Sequence, residues 1–231
     1  MTSLVESQAI KRDKTAHVSP ARGTCIITKV MRISLFPLDA VLFPGALLTL
    51  HIFEDRYREM IAECLDRERV FGVVRAQREG LAVVGCTAHI VRILERYPDG
   101  RLDILCEGVE RFEIETLDNS RAFLQAEVDL LPDLGETATR GEGAECVSLH
   151  YEAMELAGEE SMHSNFNLER PISFQLAWQL PADLDFKQEL LCLRSDAGRT
   201  LRLLEFYKAI LPKLRRGAQA SLASSQNGHV M

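Results

Sequence analysis

No apolar stretch in this chain approaches the roughly 18 residues that a bilayer-spanning helix needs, and residues 1–30 lack the apolar core of a signal peptide. A membrane partner is therefore not expected, and the cytoplasm is the expected location. Cys25, Cys64, Cys86, Cys106, Cys146 and Cys192 are scattered, with no C-x-x-C pair, which argues against a zinc site or a disulfide framework. They read as reduced, mostly buried thiols. His51, His89, His150 and His163 show no H-x-x-x-H spacing, so no metal ligand set and no cofactor is expected. No G-x-x-x-x-G-K-[ST] phosphate loop and no G-x-S-x-G elbow occurs, and Ser173 and the Ser195-Asp196 pair read as helix-start residues rather than nucleophiles. No Lys/Arg run with interleaved aromatics offsets the formal net charge of −7, so nucleic acid is not an expected partner. Internal repeats are absent as well.

What is present is enough apolar material, 46% of residues, to bury one sizeable core, or one core and a smaller helical appendage. Residues 1–30, with five basic and two acidic side chains, have no sustained period and read as a mobile arm. From Met31 to about Leu131, short runs of Val, Ile, Leu and Phe separated by turn residues predict strands. The clearest is a hairpin over 83–107 turning at Pro98-Asp99-Gly100, in which Leu102, Ile104 and Cys106 share one face. Gly108 is expected to break that run before a strand over 109–116, and a last strand over 123–130 ends at Pro132. One helix interrupts the strands: Tyr57, Met60, Ile61, Cys64 and Leu65 form an i, i+3, i+4, i+7, i+8 stripe behind the acidic first turn of Glu54 and Asp55.

Past the Gly- and Glu-rich stretch 133–143 the period changes from 2 to 3.6, which places a boundary there. Helices are predicted over 144–156, ending near Gly158, and over 172–179, opened by Pro171. Asp185 and Gln188 form a capping-box-like pair ahead of Leu190, Leu191 and Leu193. Asp196 is expected to cap a final helix that Pro212 kinks or frays. The tail 217–231 is polar and small, with no fixed structure expected.

Several segments are familiar in order and spacing. Leu35-Phe36-Pro37-Leu38, Val41-Leu42-Phe43-Pro44-Gly45, His51-Ile52-Phe53-Glu54-Asp55-Arg56-Tyr57, Phe71-Gly72-Val73-Val74, Val84-Gly85-Cys86-Thr87-Ala88 and Glu107-Gly108-Val109-Glu110-Arg111-Phe112 resemble the Lon amino-terminal domain family. The resemblance extends through the helical part to about Leu214. It implies an α+β fold: a PUA-like β pseudo-barrel with an inserted helix over 31–132, then an α-helical bundle over 133–216. It further implies recognition of unfolded or exposed polypeptide segments, with room for a separate protease or ATPase partner. Lacking a phosphate loop, and ending before a Ser-Lys protease domain could begin, the chain is not expected to be an enzyme, and no catalytic residue is assigned. The PUA-like shape leaves a small-ligand or nucleic-acid binder as the alternative, whose RNA version the acidic balance opposes.

Phe36, Pro37, Leu42, Phe43 and Pro44 are the candidate polypeptide-binding residues, because prolines there forbid regular strand pairing and can leave apolar groups at the surface. Their competing role is to cap the barrel core, the commoner fate of phenylalanine. Trp178, with Phe174 at i, i+4, is either bundle core or a further peptide anchor. Arg111 is expected to pair with a carboxylate such as Asp103 or Glu113 across or along the sheet.

Overall fold

The structure is a computed structural model that describes residues 31–67, 69–135, 137–158, 166–167 and 170–227. The arm expected over 1–30 lies outside the described residues. In chain order the elements are β1 (Met31–Leu38), β2 (Leu47–Ile52), α1 (Asp55–Arg67), β3 (Phe71–Gln77), β4 (Gly80–Leu81), β5 (Val84–Arg96), β6 (Leu102–Asp118), β7 (Gln125–Leu130), α2 (Arg140–Ala157), α3 (Ile172–Gln179), α4 (Leu184–Cys192) and α5 (Asp196–Asn227).

Five strands close on themselves. β1 pairs antiparallel with β7 through Met31 to Ser34, then parallel with β3 through Leu35 to Leu38, and the ring is completed by β7–β6, β6–β5 and β5–β3. Closure removes most exposed strand edges. Pro37 lies within β1, opposite Val74, so proline did not forbid pairing there. The stretch has a strand on one side only, where a missing N–H is tolerated. β2 stands outside the ring, paired with β6 from Leu47 opposite Glu107 to Ile52 opposite Leu102.

Gly108 does not interrupt β6, which is continuous for 17 residues. Its glycine serves a close approach instead: a Cβ there would stand 2.2 Å from the Phe43 carbonyl oxygen, and the Gly108 N–H donates to the Ala46 carbonyl at 2.9 Å. The segment between β1 and β2 can thus lie flat against β6 and push Leu42 and Phe43 inward.

Helix ends follow local side-chain chemistry. The Thr139 hydroxyl accepts from the Glu142 N–H, and the Glu142 carboxylate accepts from the Thr139 N–H, a reciprocal capping box. Asp183, not Asp185, caps α4 by accepting from the Phe186 N–H at 2.8 Å, while Asp185 pairs with Arg75 of β3. At α5 the Ser195 hydroxyl accepts from the Gly198 N–H, which frees Asp196 to turn inward. α5 also passes through Pro212 and continues to Asn227, beyond the point at 217 where ordered structure was expected to end. Most residues after Pro212 are good helix formers, and Arg215 is tied to Glu152 of α2 at 2.7 Å.

A single apolar cluster runs from the barrel into the helices, joining Phe43, Ile61, Cys86 and Ile104 to Phe174, Leu191, Leu203 and Tyr207. A smaller one around Ile33, Val74, Phe112 and Val128 fills the remaining end of the ring. Change of period at 133–143 marks where strands give way to helices; the core crosses it.

The Gly108 contact is backbone against backbone and has nowhere to relax. Gly108→Ala should lower stability by about 2 kcal/mol or more through overpacking. Gly141→Ala, where a Cβ meets open space in the first turn of α2, should be neutral or gain up to about 1 kcal/mol. Paired thermal melts check both; equal melting temperatures would remove the argument for close approach.

Candidate functional site

The six sequence candidates do not converge. Leu42 and Phe43 are 2% and 0% exposed, and the Phe43 ring lies 6.2 Å from that of Phe174, so both are core anchors rather than surface contacts. The hydrogen bonds that press their segment onto Gly108 come from residues far along the chain. Phe36 is also buried, but its ring centroid lies 4.3 Å from that of Tyr57 in a tilted pair and, with half-buried Pro37, it borders a groove beside β2. Pro44 borders a different groove, where barrel and helices meet. Trp178 lines neither; it is half-buried over Lys187, whose ammonium donates to the Trp178 carbonyl at 3.0 Å.

The groove beside β2, about 410 Å³, is framed by two strand edges. β2 has β6 on one side and, among the described residues, no strand on the other. The second half of β1 has β3 on one side, while its pairing to β7 stops at Ser34. Between these edges stand the aromatic groups of Phe36, Phe53 and Tyr57, with Phe53 60% exposed. The His51 ring stacks on Phe53 at 5.9 Å, and its Nδ1 bonds to Asp103, which also accepts from the Tyr97 hydroxyl at 2.8 Å. The His51 and Tyr97 hydrogen bonds hold the Asp103 carboxyl below its ordinary range, and the same bond to Asp103 pushes Tyr97 up to about 12. Among the described residues no serine or cysteine bonds to His51.

Other candidates for chemistry are equally committed. Burial pushes the Cys64 thiol to about 11 and those of Cys86, Cys106 and Cys146 to about 12, which makes them inert. Cys192 is exposed, and all five described cysteines are free thiols. Cys25 lies outside the described residues. Among the described residues no group of His, Cys, Asp and Glu is arranged to hold a metal ion, and no helix is long and apolar enough to cross a membrane.

Behind the second groove lies a buried ionic cluster that sequence reasoning missed. Arg111 pairs with Asp133, not with Asp103 or Glu113, and donates to the carbonyls of Leu191 and Leu193. Arg199, 0% exposed, bonds both Asp133 oxygens, the Leu193 carbonyl at 2.8 Å and the Ser173 hydroxyl at 3.0 Å. Ser173 in turn donates to Asp196 at 2.7 Å. The Phe174 ring lies 3.8 Å from the Arg199 guanidinium and 5.3 Å from that of Arg111. Ser173 is thus a structural relay and carries no sign of nucleophilic use.

A model of the ATP-dependent protease La (LON) substrate-binding domain matches residues 32–209. The chain belongs to this family. A Lon N-terminal domain protein of Xanthomonas campestris has a similar structure, with a TM-score of 0.62 and 26% identity over 76% of this chain and 98% of that one. The N-terminal domain of a Mycobacterium avium complex Lon protease shares the fold, with a TM-score of 0.59 at 16% identity, covering 77% of this chain and 98% of that one. Among full-length relatives, the Lon proteases of Parabacteroides distasonis and Porphyromonas gingivalis are 28% and 27% identical over 74% and 72% of the chain, which spans only 23% and 22% of their own lengths. The match is thus to the Lon substrate-binding part, roughly a quarter of those proteins.

In this Lon-type domain the ionic cluster sets an acid limit. Burial alone would raise the Asp133 carboxyl, but the hydrogen bond and charge of Arg199, with the charge of Arg111, outweigh it and hold the pKa below its ordinary 3.8. A depressed folded pKa gives stability that is fully present above the unfolded value and lost as pH falls through the folded one. Asp133→Asn should cost about 2–3 kcal/mol at pH 7, since it strands two buried guanidinium groups. The gap in melting temperature between wild type and variant should close only below about pH 4. A gap that stays constant down to pH 2 would show that the carboxylate charge is not what holds the cluster.

Proposed function

We propose that this chain is a non-catalytic module that binds exposed, extended polypeptide segments in the groove between β1 and β2. One observation carries the reading: two strand edges that have no strand partner among the described residues border the same groove, with an exposed phenylalanine at its rim. A segment entering there would hydrogen-bond through its main chain, which tolerates varied sequences, and Phe53, Phe36 and Tyr57 would receive its apolar side chains. Family membership supports the same direction, since the matching model describes a substrate-binding domain. ATP hydrolysis and peptide cleavage, if coupled to this binding, would belong to a separate protease or ATPase, within protein quality control. Free thiols support work in the reducing cytoplasm, and the net charge of −7 supports protein rather than nucleic-acid clients.

Phe53→Ser tests the groove without touching the core. Affinity for a fluorescein-labelled, permanently unfolded client such as reduced, carboxymethylated lactalbumin should fall about tenfold, the scale of a modest interface hot spot. The melting temperature should hold. Leu42→Ser with Phe43→Ser should instead destabilise the fold by several kcal/mol. Unchanged affinity of the Phe53 variant in an anisotropy titration would place client binding elsewhere.

A further inference from the structure

The second groove lies where β6 loses a neighbour. β2 pairs with Leu102 to Glu107 and β7 pairs with Phe112 to Asp118 on the same strand; Gly108 still bonds Gly45 and Ala46, and the Arg111 carbonyl accepts from the Leu131 N–H, so the gap is Val109 and Glu110. The helical part roofs this gap with Arg170, Pro171 and Phe174, leaving a cleft of about 610 Å³, within the range of ligand sites and at a junction where such sites concentrate. Its walls are mostly apolar, from Pro44, Leu130, Pro132, Pro171 and the 40% exposed Val109.

Among the described residues, the acidic groups at the mouth are ion-paired except Glu110. Arg111 lines the cleft, but its side chain is only 2% exposed and is held by Asp133 and two carbonyls, so it offers nothing to a newcomer. Glu110 is exposed on the rim beside Glu107 and Asp133. His89 stands 3.9 Å from one Glu107 oxygen.

Arg170 shows what this end of the cleft accepts. Its guanidinium donates to the other Glu107 oxygen at 2.5 Å and packs against Gly45, where a Cβ would stand 2.7 Å from Nη1. The side chain is half exposed and the pair is a surface one, which makes it weak and open to exchange.

We propose that the cleft at the junction of barrel and helices is a second binding site, selective for an arginine flanked by apolar residues in an extended polypeptide segment. The incoming guanidinium takes the seat on Gly45 and Glu107 that Arg170 now fills, and its apolar neighbours cover Val109 and Pro171. Arginine suits the seat better than lysine because a planar fork can lie on the glycine backbone while donating to the carboxylate. Arg170 acts as a resident competitor that sets a threshold for entry. This site is independent of the groove beside β2.

The test uses the full chain and a fluorescein-labelled twelve-residue peptide carrying one central arginine between leucines and valines, compared with the same peptide bearing citrulline, which keeps the shape and removes the charge. In anisotropy titrations the arginine peptide should bind at least tenfold more tightly than the citrulline peptide. Glu107→Gln should erase that difference, and Arg170→Ala should tighten arginine-peptide binding about three- to tenfold. Phe53→Ser should preserve the preference for the arginine peptide over the citrulline peptide, because that groove does not tell them apart. Equal binding of the two peptides, or an Arg170→Ala variant no tighter than wild type, overturns the proposal. Loss of arginine-peptide binding in Phe53→Ser with full binding in Glu107→Gln also overturns it, by moving the peptide to the β2 groove; failure of the unfolded client to respond to Phe53→Ser bears only on that other groove.

Discussion

Two buried arginines sharing one aspartate hold barrel and helices in register. Arg111 comes from β6, Asp133 from the exit of β7, Arg199 and Asp196 from α5, and Ser173 from α3, so four separate stretches of chain meet in one cluster. Removing Asp133 leaves both guanidinium groups without their shared carboxylate, whereas removing one arginine leaves the other still paired to it. An apolar replacement of the whole set could be equally stable. What the ionic version adds is direction: guanidinium forks accept only a narrow range of partner geometry, which sets how α3 and α5 sit against the strand ends.

Both grooves follow from how the ring is closed. Because β6 is longer than either neighbour on one edge, β2 and β7 divide it and leave a gap, and the clustered arginines anchor the helices that roof this gap. Because β1 passes from β7 to β3 halfway along, its second half faces β2 across an open groove. Neither opening needs a special loop. Each is what remains when strands of unequal length share a closed sheet.

Groups that could do chemistry are instead used to hold surfaces still. His51, Asp103 and Tyr97 brace Phe53. His150 is buried against the Tyr207 hydroxyl at 2.9 Å, and burial lowers its pKa, so it stays neutral within the helical core. Ser173 relays between Arg199 and Asp196. Rigid, pre-shaped apolar surface suits binding of varied segments at low ordering cost.

Short-range order was legible in the residues alone. The stripe from Tyr57 to Leu65 specified α1, Pro98-Asp99-Gly100 specified the hairpin turn, and Pro171 opened α3 where expected, because each depends on neighbours within a few positions. The six spaced segments likewise pointed to the Lon substrate-binding family without coordinates. Only the tertiary structure decided that Leu42 and Phe43 turn inward, since the carbonyl of Phe43 meets Gly108, some sixty residues later. It alone found Asp133 for Arg111 and Arg199, carried α5 past Pro212, and opened the two grooves. Periodicity tells which face of an element is apolar, but not which distant element covers it; partners of long charged side chains and gaps between strands are set by that covering, and it exists only once the ring has closed.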